Sequence, residues 1–174
     1  MGGLRETMCS VAERTDPLDD AAALRALLHA FVRSFGLLAS ETTPCGEPIS
    51  VSHAHALMFL LDRSRRRSRP TQQELGDALG IDKSNVTRLC RRMEQAGHLA
   101  QERCAVDGRA RRLNLTDQGK RLAGRVESSS RERYAAVLSG VPRDARSGLL
   151  KSLRTLNAAV ARVASPRAGL EAPR

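Results

Sequence analysis

Apolar positions in this chain recur first at helical spacing, then in two short alternating runs, then at helical spacing again. Leu24, Leu27, Leu28, Phe31, Phe35 and Leu38 follow a period near 3.6 and predict a helix over 18–39. The following loop, SETTPCGEP, is broken by Pro44, Gly46 and Pro48. A second helix is expected over 50–65, with Ala54, Leu57, Met58 and Leu61 on one side. Pro70, after the basic run RSRRRSR, blocks its continuation.

Thr71 and Glu74 stand at capping-box spacing and open a third helix, with Leu75, Ala78 and Leu79 expected inward. Gly80 suits the left-handed residue past a helix end, and Asp82 is a good N-cap for a fourth helix. A connection this short is that of a helix-turn-helix. In the fourth helix Val86, Leu89, Cys90 and Met93 share one side. Ser84, Thr87, Arg88, Arg91 and Gln95 share the other. Past Gly97, the segments HLAQERC and RRLNL alternate as strands around the Asp107–Gly108 turn signal. Thr116 then caps a helix over 117–139, and a last helix is expected over 143–164. There Leu149, Leu153, Leu156, Val160 and Val163 repeat at coiled-coil-like intervals. Residues 1–17 and 165–174 read as loose tails. The fold class is therefore mostly α with a small β-hairpin wing: one winged helix-turn-helix domain over 18–164, its DNA-binding lobe at 50–116.

Composition adds a partner. The formal net charge is +10, and nearly all the positive charge is arginine. That balance favours a polyanion, although the total alone is weak evidence and the placement of the arginines carries more. With three phenylalanines, one tyrosine and no tryptophan, the chain offers no stacking platform for single strands. No apolar run approaches the ~20 residues of a membrane span, and the N-terminus lacks a signal-peptide core, so a cytoplasmic protein is expected. The four cysteines form no C-x-x-C pair and no disulfide framework. Gly-rich phosphate loops, G-x-S-x-G elbows and H-E-x-x-H motifs are all missing from the sequence, so no enzyme is expected.

The run TQQELGDALGIDKSNVTRLCRRMEQAGHL, the wing segment DGRARRLNLT and the helix opening LTDQGKRL together resemble the MarR family of dimeric bacterial transcription regulators. Asp107 and Arg109 match the family's Asp-x-Arg wing signature, and Leu115, Thr116 and Gly119 match its Leu-Thr-x-x-Gly. The resemblance implies a homodimer joined through 18–39 and 117–164, with one winged helix per subunit. It also implies release from DNA when a small molecule, metal or oxidant acts on the dimer, and effector-pocket walls from the first, second and fifth helices.

The expected DNA contacts are Lys83, Ser84, Asn85, Thr87, Arg88 and Arg91 on the fourth helix, with Asp107, Arg109 and Arg111 on the wing. Amides, hydroxyls and lysine at a helix N-terminus can reach phosphates and base edges, and arginine can pair with guanine in two bonds. Arg109 suits a narrow minor groove; the resemblance implies that Asp107 orients it. Arg111 and Arg112 are expected on opposite strand faces, so that at most one tracks the DNA backbone. The bland alternative is a set of solvated helix arginines beside an ordinary turn. The run from Arg63 to Arg69 reads as a solvated helix end rather than a base reader. Cys45, Glu47, His53 and His55 are the only cluster with ligand chemistry, with Cys45, His53 and His55 its candidate effector or metal ligands. His53 and His55 lie about 200° apart on a helix, which argues against one ion and favours polar residues lining a cleft. Cys90 reads as core, and Cys104 as a possible exposed thiol.

The resulting expectation is a sequence-specific regulator bound to a pseudo-palindromic duplex, requiring no cofactor, with metal a weaker prospect than an organic effector. An architectural, weakly specific DNA-binding protein is the alternative.

Overall fold

The computed structural model describes residues 16–38, 42–103 and 111–164. Among them the order is α1 (Pro17–Phe35), α2 (Val51–Arg65), α3 (Gln72–Leu79), α4 (Lys83–Gln95), β1 (Leu99–Arg103), β2 (Arg111–Leu115), α5 (Asp117–Ser139) and α6 (Arg143–Ala164). Strands β1 and β2 pair antiparallel, from Leu99↔Leu115 to Arg103↔Arg111. Thr71 forms an isolated bridge to Arg112, and Leu113 donates its N–H to the Pro70 carbonyl at 2.8 Å, so the α2–α3 connection lies along β2.

The expected caps are present. Asp16 caps α1 through the Leu18 N–H, and Ser50 caps α2 through the His53 N–H. Thr71 and Glu74 close a full capping box on α3. Thr116 caps α5 through the Gly119 N–H. The first helix stops four residues before the expected boundary at 39. Gly36 takes the left-handed conformation at φ 82° and turns its N–H back to the Arg33 carbonyl.

One core unites the lobe. It is built from Leu57 and Leu60 of α2, Leu75 of α3, Val86, Leu89, Cys90 and Met93 of α4, Leu99, Leu113 and Leu115 of the sheet, and Leu122, Ala123 and Val126 of α5. The inner face expected for α4 is the observed one. Two expectations need correction. On α2 the buried set is His53, Ala54, Ala56, Leu57 and Leu60, whereas Met58 and Leu61 are only half-buried. This helix is packed by α3, α4, α5 and β2 together, so its burial wraps too much of the circumference to show as one stripe. On α3, Ala78 is exposed, and Gly76 lies buried beside Val86.

Candidate nucleic-acid interface

The short α3–α4 turn and the Asp82 cap fix how α4 is presented. Asp82 Oδ1 accepts the backbone N–H groups of Ser84 at 2.9 Å and Asn85 at 2.8 Å, and the Ser84 hydroxyl at 2.6 Å. The Asn85 amide donates to the other carboxylate oxygen, and Arg88 donates to the Asn85 side-chain oxygen. These bonds, led by the one from the Ser84 hydroxyl, hold the Asp82 carboxyl well down, at about 2. Asp82, Asn85 and Arg88 thus form a connected chain along the first turns of α4. Beyond the capping role expected of it, the Asp82 side chain organises two of the expected DNA contacts.

Lys83, Ser84, Asn85, Thr87, Arg88 and Arg91 are all exposed on the side of α4 opposite the core. The side chains of Lys83 and Arg91 have no hydrogen-bonded or ionic partner among the described residues. The Thr87 hydroxyl donates to the Lys83 carbonyl at 2.7 Å and lies 3.5 Å from the Gln72 side chain. Gln72 donates in turn to Gln101 on β1, which itself donates to Glu94 at 2.9 Å. This polar seam joins the start of α3, the face of α4 and the sheet, and sequence periodicity carries no signal for it.

Asp107, Arg109 and Cys104 lie outside the described residues. At the base of the hairpin Arg111 and Arg112 are both exposed. Arg112 donates to the Arg69 carbonyl at 2.8 Å, which ties it to the α2–α3 connection and leaves Arg111 as the better placed of the two for a partner. The arginine run is largely occupied. Arg65 forms a two-bond pair with Glu127 of α5 at 2.8 and 2.6 Å. Arg66 pairs with Asp62 at 3.0 Å and Arg69 with Glu102 at 3.0 Å, and Arg63 sits 5.0 Å above the Phe59 ring. Beside this run an open groove of about 530 Å³ lies between the end of α2, the sheet and Lys120 of α5.

The junction of α4, β1 and α5 explains the Leu-Thr-x-x-Gly signature. The Thr116 hydroxyl donates to the Gly97 carbonyl at 2.6 Å and accepts the Gly119 N–H at 3.0 Å. The Thr116 N–H donates to the His98 carbonyl at 3.2 Å. A Cβ at position 119 would fall 2.0 Å from that same carbonyl oxygen, so only glycine lets α5 come this close.

The three candidate ligand residues do not converge. Cys45 and His55 line a cavity of about 150 Å³ with Phe35, Met58, Val126 and Tyr134, between the end of α1, α2 and α5. His53 lies on the opposite side of α2, buried against His98, with its Nε2 3.2 Å from His98 Nδ1. No group of three or more metal-ligating side chains occurs among the described residues. Burial and the neighbouring His98 lower the His53 pKa to about 4, and burial followed by Arg125 lowers that of His98. Cys90 is fully buried, and burial, then Glu94, pushes its thiol up to about 11, so it is core and not a reactive thiol.

Residues 48–110 match the model of the MarR family. Similar solved structures share the architecture. The transcriptional regulator SlyA is 17% identical, with 86% of this chain and 97% of that one covered, at a TM-score of 0.60. The PcaV transcriptional regulator from Streptomyces coelicolor is 21% identical over 81% and 96%, at 0.61. MepR from S. aureus, in complex with DNA, is 18% identical over 81% and 97%, at 0.61.

Proposed function

We propose that this chain, whose residues 48–110 match the MarR family of winged helix-turn-helix transcriptional regulators, is a non-enzymatic, homodimeric, sequence-specific regulator whose grip on DNA is set by a small-molecule effector. The observation that carries the reading is the outer face of α4. Lys83, Ser84, Asn85, Thr87, Arg88 and Arg91 stand exposed above a buried apolar face, and Asp82 fixes the helix start from which they project. Such a helix can lie in a major groove with arginines on base edges and its first turn on phosphate. Arg109 would enter the minor groove, oriented by Asp107, and Arg111 would track the DNA backbone.

The exposed faces of α1 and α6 support the dimer. They expose Leu24, Leu27, Leu28 and Phe31 on one and Leu149, Leu150, Leu153 and Val160 on the other, outside the lobe's core. Two lobes held by such helices would meet successive major grooves about 34 Å apart, which a pseudo-palindromic site provides. The cavity at the end of α1 offers an effector a place between the helices that join subunits and the helix that carries the lobe. PcaV has been solved with its natural ligand and PefR with heme, which supports effector binding without naming the effector here. An effector preferring one spacing of the lobes would shift DNA affinity.

The test is selection of random duplex DNA on the purified protein at two salt concentrations. A short inverted repeat retained at the higher salt is expected. Binding that falls steeply with salt and enriches no motif would make the protein an architectural binder instead. On the selected site, Arg109→Ala should cost about 1–3 kcal/mol of binding. An unchanged Kd at matched salt would remove Arg109 from the interface.

A further inference from the structure

His53 and His98 are separated by 45 positions, yet their rings meet at the joint through which the recognition helix leaves the lobe. His53 belongs to α2, and His98 follows Gly97 directly after α4. The rings are tilted by 60° with centroids 5.2 Å apart, and the His53 Nε2 to His98 Nδ1 contact is a hydrogen bond that needs one proton between two nitrogens. A second proton would set N–H against N–H. The backbone of His98 is engaged at the same place: its carbonyl accepts from Thr116 and abuts Gly119 at the start of α5. Opening of the ring pair would therefore disturb the turn that joins α4 to both β1 and α5.

The groups facing the pair do not favour a positive charge. From α5, Gln118 lies 3.5 Å from the far nitrogen of His98, and Arg125 adds a positive charge nearby. Glu47, in the segment before α2, is held by Arg125 at 3.6 Å. From α4, Glu94 accepts from Gln101 of β1. Among the described residues no carboxylate bonds either ring. Both rings are consequently held toward the neutral form, as the direction of their shifts agrees.

We propose that the His53–His98 pair is an acid-labile latch between α2 and the exit of the recognition helix, and that its protonation loosens the DNA-bound geometry. This rests on the DNA-binding reading above. The sign is diagnostic. Adding positive charge to a DNA-binding protein ordinarily tightens its hold on phosphate, whereas the latch makes acid weaken it.

The test measures Kd for the duplex selected above at pH 7.5 and 4.0, at constant salt, for the full chain and for the double variant His53→Gln, His98→Asn. The two amides place a donor and an acceptor near the same nitrogens without titrating. For the unaltered protein Kd should rise about twofold or more, by linkage between protonation and binding; for the variant it should stay level or fall. A level or falling Kd in the unaltered protein, or an equal rise in the variant, overturns the latch while leaving DNA binding intact. Failure to bind any duplex at pH 7.5 instead sinks the DNA-binding reading. A second measurement needs neither DNA nor the variant: imidazole 15N and backbone amide signals of the free protein followed from pH 7.5 to 4.5. Ring protonation that shifts the Gly97, His98 and Gly119 amides together is expected. Titration of both rings near 6.5 with those amides unmoved overturns the proposal.

Discussion

The lobe from α2 to β2 and the helices α1 and α6 use apolar residues in opposite ways. In the lobe Leu57, Leu75 and Met93 are wholly buried, and every apolar face meets another within the same chain. On α1 and α6, Leu27 is 69% exposed, Phe31 48% and Val160 56%, although their spacing is as regular as anything in the lobe. Regular spacing shows that a face is meant to be covered; it does not show by what. The lobe's pattern is satisfied by its own chain, whereas that of the outer helices calls for surface from elsewhere. Among the described residues the tip of α1 is settled internally, where Phe35 stacks between Phe31 and Tyr134 at centroid distances of 5.1 Å.

The sharpest way to break this contrast is to attack the lobe where it has no slack. Gly119→Ala puts a Cβ 2.0 Å from the His98 oxygen and should cost about 2–4 kcal/mol in chemical denaturation. A loss under about 0.5 kcal/mol would mean that the junction yields easily. The outer helices should respond differently. Leu27→Glu with Leu153→Glu should leave the lobe folded by circular dichroism, convert the protein to a monomer in sedimentation, and weaken DNA binding more than tenfold, since two half-sites would no longer be bound together. Persistence of the dimer would assign these faces another role.

A gentler probe is pH. With His53 held near 4 when folded against an ordinary 6.5, the unfolded chain binds a proton between these values that the folded chain does not. Stability should be full above about pH 6.5 and decline by roughly 1–2 kcal/mol as pH falls toward 4.5, some of the shift being screened by solvent. His53→Gln should flatten that slope. Smallest of all, Asp82→Ala removes the cap of α4 and should cost about 1 kcal/mol of stability. Its effect on DNA affinity should exceed that of an ordinary cap, because Asn85 and Arg88 lose their anchor.

Much of this was legible in the residues themselves. The capping box at Thr71 and Glu74, the caps at Asp82 and Thr116, the inner face of α4 and the bounds of α5 and α6 are local properties, set by neighbours a turn away. The exposed face of α4 followed from the same periodicity. What escaped reading is set by packing across long separations. Ala56 and Leu60 are buried because α2 is surrounded, and His53 leaves Cys45 and His55 because His98 lies on its side of that helix. The arginines from Arg63 to Arg69 read as a charged end, yet Glu127 and Glu102, which bind two of them, are more than 30 positions away.

The contact of Gly119 with His98 has a mechanical consequence. With no side chain between them, the start of α5 and the end of the recognition helix cannot slide past one another and must turn as one piece. Helix α5 has 23 residues, which makes an arm about 34 Å long at 1.5 Å per residue. A tilt of ~5° at its far end would carry the recognition helix by roughly 3 Å, a sizeable part of the distance between one base step and the next. In the proposed dimer, a small rearrangement where the helices of two subunits meet would therefore reach the DNA magnified, without any change inside the lobe.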